Sequence, residues 1–475
     1  MNTTNFKNTR EALDLIESDF KVTESKLQTL IAEHDDVTSK MESLTTALTS
    51  CASNTDVLHK TIEELTNERL SLIKQIDDLK TSSIPSLPPG DVVNNAPANY
   101  FNITTMEDLD TRIKEIKAAV TDVNAQITIE LDGGTYETVG IAPGLNWTIK
   151  GKGIDVTILK LKDVGTNGFH YPNNYVVATA HYGGKDPAWN NNVKIFDLTL
   201  DANWENQSAR TVPSVKYGGV YFQSTEMTIE RVKVVNWGSN GLKVEYSEAF
   251  PIFGVTYSSE VTKIVIQDCI VTGQHMYKGG YATAIMVQTM QPNAGDRIPY
   301  GSRKSTSAII KRNRAYNIYG HGYGVGWSEN VIFEDNDCID SKTGTNIDTG
   351  RNRNIVFKKN RFLLCNQGVH FGNSHSGEFK DFVFEDNYFL LTVPFYNAYL
   401  VPPKSEYAYG IRASGNTFNT KISKNKILSG CKLKDYNQGI YGIGLSGKNE
   451  GMDIANNNEY GDIVTKLTNT PAFYM

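Results

Sequence analysis

The chain has 475 residues, of which 39% are hydrophobic and 21% charged, with a net charge of −6. That is the balance of a folded protein of more than one domain, with no basic block to bind nucleic acid. No apolar run reaches the roughly 18–20 residues of a membrane span, so no membrane insertion is expected.

The opening Met1-Asn2-Thr3-Thr4-Asn5-Phe6 lacks the apolar core of a secretory signal. Cys51, Cys269, Cys338, Cys365 and Cys431 are odd in number and scattered, and suggest neither a disulfide framework nor a metal site. Assembly in a reducing cytoplasm is therefore expected, with no cofactor and no metal. Residues 1–12 are read as a short attachment segment.

From Leu13 to Leu79, steps of three and four alternate without a skip. The seam runs Leu13, Ile16, Phe20, Thr23, Leu27, Leu30, His34, Val37, Met41, Leu44, Leu48, Cys51, Thr55, Leu58, Ile62, Leu65, Arg69, Leu72, Ile76, Leu79. Only Thr23, His34, Thr55 and Arg69 interrupt its apolar character. A strict heptad keeps one stripe facing a partner helix when the helices supercoil left-handedly. Residues 13–80 are thus predicted to be a coiled-coil stalk, roughly 100 Å long at about 1.5 Å per residue. The mixed Leu, Ile, Met and Phe at the first core position disfavour the dimer pattern without dictating a trimer. Prolines 85, 88, 89 and 97 then end the helix, and 81–101 reads as a linker.

The head is predicted over 102–475. Thr104-Thr105-Met106-Glu107 has the spacing of a capping box, and Leu109, Ile113, Ile116 and Val120 line one helical face. An alternating strand follows, ending in the Gly turn of Ile127-Thr128-Ile129-Glu130-Leu131-Asp132-Gly133-Gly134-Thr135-Tyr136. This opening resembles the pectate-lyase-like β-helix superfamily, in which such a helix plugs the end of the coil and protects its edge strands. Beyond it, one phrase recurs with an apolar pair, two variable residues and Asn. Examples are Val331-Ile332-Phe333-Glu334-Asp335-Asn336, Ile355-Val356-Phe357-Lys358-Lys359-Asn360 and Phe382-Val383-Phe384-Glu385-Asp386-Asn387. It returns near Asn313, Asn425 and Asn457, while Leu198, Val232 and Cys269 take the Asn place earlier. Asn at the bend is expected to adopt a left-handed conformation and to stack as a ladder. The steps, 23 to 44 residues, match one coil each plus inserted loops. The fold class is all-β: a right-handed parallel β-helix, capped by a short helix and preceded by a long parallel trimeric coiled coil.

Gly-led strands precede each phrase, and their outward residues form two expected columns. The first is Tyr221, Lys243, Met286, Gly324, Asn346, His370, Arg412; the second is Gln223, Glu245, Gln288, Gly326, Asp348, Gly372, Ser414. The glycines are expected to leave a shallow trough beside Asn346, Asp348 and His370, suited to a chain of sugars. Tyr221, Lys243, Gln288, Asn346, Arg351 and Arg412 are the candidate carbohydrate-binding residues. Asp348, His370 and Glu245 are the candidate catalytic ones. Hydrolysis needs two carboxyl groups about 5–9.5 Å apart; eliminative cleavage needs a base such as His370 with Arg412 or Arg351 neutralising charge. His321 and His375 are assigned to loops, and Trp327 to the core.

Stalk and head together resemble viral (bacteriophage-type) tailspikes and receptor-binding fibres. The resemblance is architectural. Polygalacturonase-type motifs are lacking, since the Asp-Asp pairs Asp35-Asp36 and Asp77-Asp78 fall in the stalk, and only His321-Gly322 lies in the head. It implies a homotrimer on the virion surface, assembled in the host cytoplasm, held through its N-terminus by an attachment or adaptor protein. The expected ligand is a host surface glycan, bound and cleaved or only bound. The alternative is a structural or adhesive fibre without turnover, such as a head fibre.

Overall fold

The structure, a computed structural model, describes residues 99–469. Interruptions fall at 166–172, 179–191, 213–214, 224–225, 240–247, 250–251, 258–261, 277–280, 291–305, 327, 348–351, 372–377, 393–407, 430–439, 447–448, 462 and 464. Residues 1–94 and 95–475 are two separate units. The expected attachment segment and stalk, and the linker up to residue 98, lie outside the described residues.

The second unit is a solenoid of parallel strands. A representative coil starts with Glu329–Glu334, bends at Asp335-Asn336, and continues as Asp337–Ile347. Each part pairs with the equivalent part of the next coil: Ile332 with Val356, Ile339 with Leu363, and Asn346 with His370. Three parallel sheets result. The first holds Asn346 and His370, the second Ile332 and Val356, the third Ile339 and Leu363.

Period-two alternation decides what enters the core. Val331, Phe333, Ile355, Phe357, Phe382 and Phe384 are buried, while Ile332 between two of them is 39% exposed. Because coils repeat in register, identical side chains stack. Phe333, Phe357 and Phe384 lie 4.8 and 5.0 Å apart with their rings parallel, and Phe362 lies 5.1 Å from Phe389. Cys269, Cys338 and Cys365 are buried free thiols; burial pushes the Cys269 thiol up to about 12.

The expected Asn ladder forms, with two corrections. The Asn336 amide donates to Ile310 O and Asn360 Oδ1, and Asn360 donates likewise to Phe333 O and Asn387 Oδ1. The series runs from Asn313 through Asn425 to Asn458, one residue past the expected Asn457. Asn457 caps Lys424 N instead. Nor are the ladder asparagines left-handed. That conformation belongs to the preceding residue, Arg312, Asp335, Lys359, Asp386 or Lys424, at φ 54 to 58°. The bend thus turns on an exposed polar residue and leaves the amide pointing inward.

The capping helix, α1 (Leu109–Ala119), buries Leu109, Ile113 and Ile116 on the end of the coil. Its N-cap is Asp108, which accepts from Thr111 N at 2.8 Å. The Thr104–Glu107 pair does form, with Thr104 N donating to Glu107 Oε2 at 2.7 Å, but it closes a turn ahead of the helix. Asp108 is the nearer acceptor for the first-turn amides. The first strand, Tyr100–Ile103, starts inside the expected linker because it pairs with Ile127–Leu131.

Candidate functional site

The first sheet carries an aligned column of residues, one from each coil. Pairing runs Ala178–Tyr221–Phe253–Met286–Gly324–Asn346–His370–Arg412–Gly444–Thr468. This matches the expected first column at six positions, and corrects one. Between Tyr221 and Met286 stands Phe253, not Lys243, because Ile252–Tyr257 supplies that coil. Residues 241–244 satisfied the Gly-led pattern, but the alternating Ile252-Phe253-Gly254-Val255 satisfies it equally and takes the place. Lys243, Glu245, Asp348, Arg351, Gly372, His375 and Trp327 lie outside the described residues. Gln288 sits in the strand Tyr281–Met290, paired with Gly326. The structure therefore assembles Tyr221, Asn346, His370 and Arg412 from the candidate set.

This face is not a solvated surface. Tyr221, Met286 and His370 are buried, and Tyr175, Ala178, Tyr221 and Met286 form an apolar cluster separate from the core. Gly324 does not open a trough. A Cβ there would overlap Met286 Sδ and lie 2.8 Å from Thr283 Cγ2, so the neighbouring coil fills the space that the glycine leaves. Gly444 is used likewise: its Cβ would lie 2.5 Å from Tyr409 Cε1. The polar segment is consequently short. Asn346, His370 and Arg412 occupy three successive coils, about 10 Å end to end at the strand spacing. The Tyr221–Met286 cluster lies on one side and the stacked pair Tyr409–Tyr441, 5.1 Å apart, on the other.

His370 Nε2 lies 3.0 Å from Ser414 Oγ, a residue of the second expected column. Burial pushes the His370 pKa down to about 3, and the nearby Arg412 and Lys342 act in the same direction. The ring is neutral at physiological pH. His321 is a correction. It belongs to the strand Arg314–Gly326, not a loop, and pairs with Thr283 and Thr343. Its Nδ1 is buried, and burial together with Lys342 pushes its pKa down to about 3. Arg412 lies over the Tyr409 ring, 5.3 Å from its centroid. Burial lowers its pKa while the Tyr409 phenol acts in the opposite sense; a guanidinium stays charged regardless.

Two groups here keep unused hydrogen-bonding capacity among the described residues. Arg412 Nε is buried and makes no hydrogen bond. No carboxylate pairs with Arg412, and no hydrogen bond engages the Asn346 amide, among the described residues. Sequence reasoning missed Tyr409, Lys342 and His321. Tyr409 and Arg412 share the outer face although three residues apart, and a pairing irregularity between Ile318 and His321 breaks the alternation three coils earlier. A strict period of two cannot find such residues.

Among solved structures, the chain is similar to the A-module of the Azotobacter vinelandii mannuronan C-5 epimerase AlgE6. Identity is 15% over 76% of this chain and 92% of that one, with a TM-score of 0.46. The Streptococcus pneumoniae surface adhesin PfbA aligns at 12% identity over 77% and 100%, TM-score 0.48. The Dettilon tailspike protein aligns at 12% over 77% and 68%, TM-score 0.45. No curated protein matches the chain. The model described as "Right handed beta helix region" matches residues 189–470, which include the whole polar segment. The coils, their parallel register and this match over more than half the sequence agree: the chain belongs to the right-handed β-helix family.

Proposed function

We propose that this protein is a surface spike or receptor-binding fibre that recognises a host cell-surface polysaccharide on the outer face of its first sheet. The observation that carries the reading is the polar segment Asn346–His370–Arg412, flanked by Tyr221 with Met286 and by Tyr409 with Tyr441. Polar groups with free valences between apolar and aromatic borders suit a sugar, which has hydroxyls at its edge and C–H groups on its faces. The heptad seam from Leu13 to Leu79 supports a parallel, trimeric presentation of three such heads on a virion surface.

Recognition is favoured over cleavage by one further feature. A general base works best with a pKa near the working pH, whereas burial holds His370 near 3. A histidine so placed orients a ligand as a neutral donor or acceptor.

The test is to incubate the purified full-length protein with an array of bacterial capsular and lipopolysaccharide O-chain polysaccharides, acidic and neutral. Expected is saturable binding to at least one, without new reducing ends and without absorbance near about 232–235 nm from unsaturated product. Release of either product would replace the binding reading with a depolymerase. Absence of binding to every polymer would refute glycan recognition.

A further inference from the structure

The buried thiols, the Asn ladder and the ion pairs of the outer bend are satisfied within the chain. Arg412 differs from the other described arginines: it lies over a tyrosine ring, as Lys117 lies over Trp147, and it alone among the first sheet's outer column has a buried charged donor left unbonded. Arg231 has Asp197, Arg312 has Asp268, Arg353 has Asp381, and Arg361 has Asp337. Among the described residues Arg412 has no anion, although it is partly desolvated and its Nε is fully buried. Taking a cation out of water without a counterion is unfavourable, and the fold offers several positions where an acidic side chain would relieve it. Asn346, Gly324 and Gly444 share its column, and none is acidic. Its one titratable neighbour of the opposite sense among the described residues is the Tyr409 phenol, and the charge felt by His370 beside it, from Arg412 and Lys342, is basic.

Resting on the glycan-recognition reading above, we infer that Arg412 is the anion-selecting residue of the site, and that the ligand is an acidic polysaccharide whose sugar carboxylate docks on its guanidinium. The planar fork of Arg412 presents parallel N–H donors that match the two oxygens of a carboxylate. Tyr409 beneath it makes a cation–π contact with the guanidinium at 5.3 Å. His370 and Asn346, neutral and one and two coils away, are placed for the hydroxyls of the same or the adjoining sugar. The lowered dielectric that makes the vacant cation costly also strengthens the ion pair once the ligand arrives.

The experiment takes each array polysaccharide that binds, together with its carboxyl-reduced and its desulfated forms, and compares the native protein with Arg412→Met and Arg412→Lys. Carboxyl reduction and Arg412→Met should each weaken binding at least tenfold, Arg412→Lys should lie between, and desulfation should change nothing. Thermal melting separates site from scaffold: removing an unpaired, partly buried cation should leave the midpoint unchanged or raised, whereas a structural Arg412 would lower it. Undiminished binding of the carboxyl-reduced polymer, or of Arg412→Met, overturns the inference while glycan recognition stands. Sensitivity to desulfation alone overturns the carboxylate in favour of a sulfate ester. If no polymer binds at all, recognition itself fails, and the assignment of Arg412 with it.

Discussion

Two edges of the same solenoid treat polar groups in opposite ways. At the bend between the second and third sheets every ladder amide is saturated. Asn360 Oδ1 accepts from Asn336 N and Nδ2 while its own Nδ2 donates to Phe333 O and Asn387 Oδ1. Charges there alternate by coil, with Lys311 and Arg312 above Glu334 and Asp335, then Lys358 and Lys359, then Glu385 and Asp386. They pair across coils, as Lys311 with Glu334 at 2.6 Å and Lys424 with Glu385 at 2.9 Å. On the outer face of the first sheet, the Asn346 amide and the Arg412 Nε make no hydrogen bond among the described residues, and Arg412 meets only the Tyr409 ring. The contrast teaches that a solenoid holds its register with groups that satisfy one another, and keeps for a ligand those that it leaves unsatisfied.

The comparison breaks most easily through the interior beneath the bend. Phe357→Ala removes the middle ring of the Phe333–Phe357–Phe384 stack and should cost about 3–5 kcal/mol in equilibrium denaturation. Glycan affinity of the surviving folded fraction should be unchanged. Asn360→Ala comes next. It strands buried donors and acceptors on the coils above and below, at about 1–3 kcal/mol for each group left unsatisfied, with a total near 3 kcal/mol after local rearrangement. A substantial loss of binding by either folded variant would show that the two edges are not separate.

The smallest effect sharpens the other side. His321 and His370 have folded-state pKa values near 3, below the unfolded value of about 6.5. Between those limits the unfolded chain binds more protons. The stability they contribute is therefore complete above pH 6.5 and is lost as pH falls towards 3, by at most about 1.4 kcal/mol per pH unit for each ring. Melting midpoints across this window should fall less steeply for the double variant His321→Asn, His370→Asn. Identical slopes would mean that the rings are not held neutral by burial.

Much of this fold was legible in order. The Asn phrase marked the bend because an inward amide needs a fixed place in each coil. Val331 and Phe333, or Ile355 and Phe357, marked the core because a strand turns alternate residues inward. The same parity placed Tyr221, Asn346, His370 and Arg412 on one outer column. What failed did so for local reasons. Residues 241–244 and 252–255 both satisfy a Gly-led strand, and only pairing with Val220–Gln223 chooses between them. Asn457 and Asn458 are both asparagine, and only the ladder geometry selects the second.

Periodicity along the chain by itself determined the solenoid, its helical cap, the direction in which each strand side chain faces, and the expectation of a stalk from Leu13 to Leu79, since these depend on spacing between near neighbours. Side-chain packing in three dimensions decided the rest: that Met286 fills the place above Gly324, that Tyr409 lies beneath Arg412 within one strand, that His370 and His321 are desolvated, and that Arg412 has no counterion among the described residues. Those properties depend on side-chain volume and the local dielectric, which spacing along the chain does not set.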